Sequence, residues 1–211
     1  MLDCEFIEAA DPGSARAARL LISLHGLGDS MDGYRWLPEM LNLPALSHLL
    51  VNAPDPYYGG YSWYDFAGDP GPGIRRSRQA LFELLREWSP KFSPEQTYLF
   101  GFSQGCLMTL DAGLRYPHRL AGLIGVSGYV FEPDQLAQEL SPVARSQRIL
   151  LTHGTLDTMI PIERVRPQID QLKAAGLRIA WHEFAKSHTI AGEQELSVIR
   201  DFIEERDRPR N

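Results

Sequence analysis

Apolar positions along the chain follow two alternating rhythms. Compact apolar runs at 19–24, 47–51, 97–102, 122–126, 148–152 and 177–184 have the length and leucine- and isoleucine-rich character of strands buried on both faces. The run at 19–24 stops sharply at His25-Gly26. Between the runs the spacing becomes helical. Ile74, Leu81, Leu84, Leu85 and Trp88 fall largely on one face, and a second helix opens at Pro161, carries Val165, Ile169 and Leu172, and stops at Gly176. A last helix at 193–205 turns Leu196, Ile199, Phe202 and Ile203 inward. Strands separated by helices imply βαβ units, so the expected fold class is α/β, a mainly parallel sheet covered on both faces. Residues 4–8 predict an additional edge strand.

One stretch breaks the rhythm. Residues 53–73 are rich in glycine and proline and hold the aromatics Tyr57, Tyr58, Tyr61, Trp63, Tyr64 and Phe66. A loop of about 20 residues inside a compact domain often lines a functional site. Its aromatics would otherwise cover a sheet edge or form a subunit contact, as in a homodimer.

Composition narrows the class. A chain of 211 residues, 44% hydrophobic and 23% charged, can bury a real core within one domain spanning 1–211. Disulfide scaffolds, collagen-like chains and disordered chains are excluded. The formal charge of −6 argues against a nucleic-acid binder, which needs a basic surface. Two cysteines, Cys4 and Cys106, are too few for a zinc cluster and suit a reducing compartment. The start of the chain is acidic and lacks the apolar stretch of a signal peptide, and no run approaches the roughly 18 residues of a membrane span. A cytoplasmic location is expected.

The candidate chemistry begins at Gly101-Phe102-Ser103-Gln104-Gly105, a Gly-x-Ser-x-Gly pattern between the strand at 97–102 and a helical stretch at 106–115. That is the setting of a nucleophile elbow, where a tight turn holds Ser103 Oγ above the sheet. A serine hydroxyl needs a base to take its proton. Of the six histidines, His48, His118 and His182 sit in strands or beside a helix end and read as structural or exposed. His25 and His153 end strands and precede glycines. His188 lies four residues past the strand ending at Phe184, where a side chain can reach back over the sheet. Asp157, just past another strand end, is the carboxylate placed to orient that imidazole. Taken singly, Asp157 is an ordinary loop carboxylate and His188 a surface histidine. Jointly, Ser103, Asp157 and His188 follow the chain order of an α/β-hydrolase triad.

An oxyanion needs backbone N–H donors. One is expected from Gln104, directly after the nucleophile. The other is expected from Leu27, in the glycine-containing loop His25-Gly26-Leu27-Gly28-Asp29. That loop lacks the third glycine of a dinucleotide fingerprint and the Lys-Ser/Thr of a phosphate loop.

Together, Leu24-His25-Gly26-Leu27-Gly28-Asp29, Gly101-Phe102-Ser103-Gln104-Gly105, His153-Gly154-Thr155-Leu156-Asp157 and the late His188 resemble the carboxylesterase, acyl-protein thioesterase and lysophospholipase family of α/β-hydrolases. Ser62-Trp63-Tyr64-Asp65 is similar to that family's Trp-aromatic-Asp stretch near the acyl pocket. The resemblance covers nearly the whole chain. It implies a compact core without a cap domain, and hydrolysis of small acyl esters or thioesters through an acyl-enzyme without a cofactor or metal. Three departures stand out: Cys106 and Ser187 replace the family's usual glycines, and Thr158-Met159-Ile160-Pro161 is bulkier than usual. Leu27, Trp63, Met159 and Ile160 would line an apolar acyl site, or else belong to the core. Arg75, Arg76 and Arg78 either recognise an acidic leaving group or form a solvated face. Dienelactone-hydrolase-like or peptidase activity on the same scaffold is the rival chemistry, and a catalytically silent binding protein the non-enzymatic rival.

Overall fold

The computed structural model describes residues 2–11, 13 and 18–204; the helix end expected at Glu205 lies outside them. In chain order the strands are β1 (Cys4–Ile7), β2 (Arg19–Leu24), β3 (Leu46–Val51), β4 (Asp55–Tyr57), β5 (Gly60–Ser62), β6 (Thr97–Phe102), β7 (Gly122–Val126), β8 (Ile149–Gly154) and β9 (Ile179–Phe184). The α-helices are α1 (Leu37–Leu41), α2 (Pro70–Trp88), α3 (Gln104–Arg115), α4 (Pro133–Gln138), α5 (Ile162–Ala174) and α6 (Glu193–Glu204).

Seven strands form one sheet in the order β1-β3-β2-β6-β7-β8-β9. Every neighbouring pair is parallel except β1 with β3, so the expected edge strand is present and antiparallel. The registers match Leu24 with Gly101 and Phe102 with Val126. The carboxyl ends of the central strands therefore lie side by side, and the loops that follow them crowd one rim.

Alternation along each strand divides the core. Leu20, Ile22, Leu24, Leu99, Leu123 and Leu151 pack with α2, α3 and α5 on one face. Leu21, Leu50, Phe100, Ile124, Val126 and Leu150 pack with α1 and α6 on the other. Helix α3 is buried from Gln104 to Leu114, as expected of a helix set against the middle of the sheet. Helix α5 continues through Pro167, which loses one helical hydrogen bond on the solvent-facing side.

The loop expected at 53–73 is more ordered than its composition predicts. It contains the β4–β5 hairpin, whose turn places Tyr58 and Gly59 at positive φ, the pattern of a type I′ turn. It then ends early, because Asp69 caps α2 by accepting the Gly71 N–H at 2.9 Å and Pro70 sits in the first turn. Among the described residues no helix is long and apolar enough to cross a membrane.

Candidate active site

The site begins where β6 meets α3. Ser103 holds φ 55° and ψ −114°, a conformation unusual for a residue with a side chain. Its flanking glycines are sterically required. A Cβ on Gly101 would lie 2.1 Å from the Gly105 carbonyl oxygen, and one on Gly105 would lie 2.0 Å from that of Leu24. The elbow therefore fits against the end of β2 only with glycine at both positions.

Two further loops meet Ser103. Asp157, buried just past β8, accepts at Oδ1 from the N–H groups of Met159 (3.0 Å) and Ile160 (2.8 Å). Its Oδ2 accepts from His188 Nδ1 at 2.7 Å. The other ring nitrogen of His188, Nε2, stands 2.9 Å from Ser103 Oγ, and the ring packs against Phe102 with centroids 4.9 Å apart. With Nδ1 donating to the carboxylate, Nε2 is the acceptor for the serine hydroxyl. All three predicted triad residues thus meet in one hydrogen-bonded line.

Two other histidines brace the loops around the site. His25 donates from Nδ1 to the Gly26 carbonyl at 2.6 Å and accepts the Ala53 N–H at Nε2, while burial pushes its pKa down. His153 donates from Nε2 to the Ile160 carbonyl at 2.8 Å, bracing the turn that holds Asp157, and burial lowers its pKa as well. Both are neutral struts.

The loop after β2 lies against the elbow: a Cβ on Gly26 would sit 3.4 Å from Ser103 Cβ. Leu27 occupies the turn between Gly26 and Gly28. Gln104 is the first residue of α3, so its N–H has no acceptor within the helix. The β4–β5 hairpin fixes the Leu27 loop through two backbone bonds, Gly28 N–H to Tyr61 O and Tyr61 N–H to Asp29 O, both 2.9 Å. The role of this hairpin in holding the loop was not legible in the sequence.

A second missed contribution is the Gln104 side chain. Its Oε1 accepts from the Trp63 N–H (3.0 Å) and the Ser62 hydroxyl (3.3 Å), and its Nε2 donates to the Tyr64 carbonyl (3.1 Å). This clamps the 62–64 segment onto the nucleophile helix.

Trp63 requires a correction. It is fully buried, its indole N–H donates to the His25 carbonyl at 2.9 Å, and its own carbonyl accepts from Ser77. It has no exposed surface to offer a substrate and instead supports the loops around Ser103 from behind. Met159 is 72% exposed and Leu156 62% exposed, while Ile160 is half-buried. The turn around Asp157 therefore presents apolar side chains to solvent. Arg76 pairs with Asp55, and Arg78 lies 3.2 Å from Asp111, so two of the three clustered arginines are held by carboxylates of this chain. Cys106 is buried against Gly125 and Gly128, where a Cβ would approach its sulfur to 2.6 and 2.5 Å. Burial pushes its thiol up to about 12, leaving a packing residue in place of a reactive one.

Comparison with known proteins agrees with this geometry. The chain matches the phospholipase/carboxylesterase family over residues 2–206. It is 34% identical to acyl-protein thioesterase 1 of Schizosaccharomyces pombe over 165 residues, covering 72% of this chain and 73% of that protein. It is 29% identical to acyl-protein thioesterase 1 of Yarrowia lipolytica, covering 92% and 94%. Among solved structures, the crystal structure of esterase PE8 superposes with a TM-score of 0.83 at 28% identity, covering 96% of this chain and 97% of that one. The chain belongs to the phospholipase/carboxylesterase family of α/β-hydrolases and is a serine hydrolase of carboxylic esters or thioesters.

Proposed function

We propose that Ser103, His188 and Asp157 carry the reaction, with the backbone N–H groups of Leu27 and Gln104 as the oxyanion donors. The observation that supports this most strongly is the continuous line from Asp157 Oδ2 through the imidazole to Ser103 Oγ, at 2.7 and 2.9 Å. His188 takes the hydroxyl proton while Oγ bonds to the acyl carbon, and Asp157 stabilises the imidazolium that results. The imidazolium then gives that proton to the departing alcohol or thiol as the bond from the acyl carbon to its oxygen or sulfur breaks. Water, deprotonated by the same imidazole, attacks the acyl-enzyme, and the imidazolium then returns that proton to Ser103 Oγ as its bond to the acyl carbon breaks and the acid leaves.

The apolar turn at Met159 and Ile160, exposed and half-buried, favours an apolar acyl group. The names of the yeast relatives suggest S-acylated protein as one such substrate. The whole chain acts as one domain in this reading. Its two free cysteines, one buried and one half-buried, suit a cytoplasmic setting.

The test is hydrolysis of p-nitrophenyl esters of rising acyl length, with Ser103→Ala as control and labelling by a fluorophosphonate probe. Turnover that vanishes in Ser103→Ala, together with labelling of Ser103, is expected. Activity persisting in Ser103→Ala would overturn the residue assignment, and absence of both turnover and labelling would overturn the reaction.

A further inference from the structure

A cleft of about 370 Å³ opens beside the triad, between the segment after β2 and the loop that carries His188. Its lining includes Trp36, Met40 and Ile190, together with Phe102 and His188 itself. Trp36 and Met40 are 37% and 44% exposed, large apolar side chains left open to solvent. The carboxylate of Asp29 also belongs to its lining.

The position of the cleft relative to the sheet gives it a distinct role. Phe102 and Ile190 pack with the α1–α6 core, whereas Ile160, on the turn assigned to the acyl group, packs with the opposite core. A carbonyl carbon bonded to Ser103 Oγ carries an acyl chain and a leaving group, and these must depart from it in different directions. The leaving atom is the one that receives the proton from His188, so its substituent extends on the imidazole's side. His188 and its neighbours Thr189 and Ile190 line the cleft.

We propose that this cleft is the leaving-group subsite, and that it takes a bulky apolar or aromatic alcohol or thiol carrying no negative charge. The inference rests on the assignment of Ser103 and His188 made above. The apolar walls gain by being removed from water against such a group. The Asp29 carboxylate repels an anionic one.

The experiment holds the acyl group constant and varies the alcohol among alcohols of like acidity: acetate esters of ethanol, benzyl alcohol, naphthylmethanol and 4-carboxybenzyl alcohol. The kcat/KM is read because it reports acylation, the half-reaction in which the leaving group is still attached. The naphthylmethyl ester should exceed the ethyl ester by about tenfold, a span typical of apolar pocket discrimination. Trp36→Ala should shrink that ratio about fivefold, and Met40→Ala, a second variant at an exposed position, should shrink it in the same direction. Asp29→Asn should narrow the gap between the benzyl and 4-carboxybenzyl esters. The ratio between benzyl acetate and benzyl octanoate should keep its wild-type value in Trp36→Ala. A wild-type enzyme indifferent to the alcohol overturns the proposal, as do cleft variants that shift acyl-length preference instead. Fluorophosphonate labelling of Ser103, run in parallel, separates failure of this subsite from failure of the nucleophile assignment.

Discussion

The loop that presents His188 is anchored by a buried ion pair, and removing it tests how far the triad depends on charge held out of water. Lys186 Nζ lies 2.5 and 2.7 Å from the two carboxylate oxygens of Glu195, with both side chains almost wholly buried. Glu195 Oε2 also accepts the Ala191 N–H at 2.6 Å, and the Lys186 carbonyl accepts from Leu156 N–H at 3.1 Å. The pair thus ties the start of α6 to the His188 loop and to the turn leading into Asp157. In Glu195→Gln the ammonium loses its counter-charge, and breaking such a pair costs about 3–5 kcal/mol. Deprotonation of Lys186 sets a ceiling on that cost. A lysine of ordinary pKa, about 10.4, is neutralised for about 4.6 kcal/mol at pH 7 but only about 1.9 kcal/mol at pH 9.

The sign of the pH effect follows from proton counts. Burial pushes the Lys186 pKa down, Glu195 does most to hold it up and Asp157 adds a smaller upward pull, so loss of Glu195 removes the main opposition to the downward push. The folded variant then holds a neutral Lys186 while the unfolded chain keeps its proton. Stability of the variant therefore rises with pH. Thermal denaturation should show a Tm loss of about 6–18 °C at pH 7, using 2–4 °C per kcal/mol for a chain of this size, and a loss of no more than about 4–8 °C at pH 9. The double variant Lys186→Met, Glu195→Leu should recover most of the difference. A deficit below about 2 °C at pH 7, or one of equal size at pH 9, would refute the claim that the pair is dry and coupled.

Three further outcomes are expected. Asp157→Asn should lower kcat by roughly 10⁴-fold with little change in Tm, because an amide cannot hold the imidazole in the tautomer that accepts at Nε2; steady-state kinetics beside a melting curve checks this. Gln104→Ala removes the acceptor of the Trp63 N–H and the donor to the Tyr64 carbonyl, costing about 1–3 kcal/mol of stability while sparing its own backbone N–H. Its Tm should fall by several degrees, with kcat reduced much less than in Ser103→Ala. His48 is buried and its pKa is pushed down to about 4, so the unfolded chain binds the extra proton between pH 6.5 and pH 4. Stability to urea should drop by about 3 kcal/mol across that window from this group, and His48→Leu should flatten the fall.

The parts of this fold that sequence patterning reaches are those where burial imposes a period. The runs at 19–24, 97–102 and 122–126 match β2, β6 and β7 end to end, because central strands covered on both faces must be apolar along their length. The proposed triad residues were legible for a related reason: Ser103, Asp157 and His188 follow the runs at 97–102, 148–152 and 177–184, and parallel strands deliver all such loops to one rim. Helices α1 and α4, with five and six residues, are too short to display a helical period. The strands of the β4–β5 hairpin have three residues each and contain Pro56, so neither alternation nor propensity marks them.

What the pattern misses shares a cause. The sequence leaves Trp63 open between an acyl site and the core because an aromatic in a glycine-rich loop has no periodic partner to claim it, yet its polar atoms are satisfied by His25, Gln104 and Ser77, residues between 14 and 41 positions away. Nothing in the pattern of apolar positions marks Lys186 and Glu195 either, because lysine and glutamate are almost never fully buried unless paired. Their pairing arises only once the start of α6 meets the loop after β9. In each case the deciding interaction joins a polar atom to a partner outside its own element. Hydrophobic periodicity is blind to such bonds, because it records which side chains leave water and says nothing of how the polar atoms that leave with them are satisfied. The residues that rigidify this site are therefore the ones a pattern reading assigns to solvent or to substrate, and substitutions at Gln104, Lys186 and Glu195 should expose that error more sharply than any change in the leucine core.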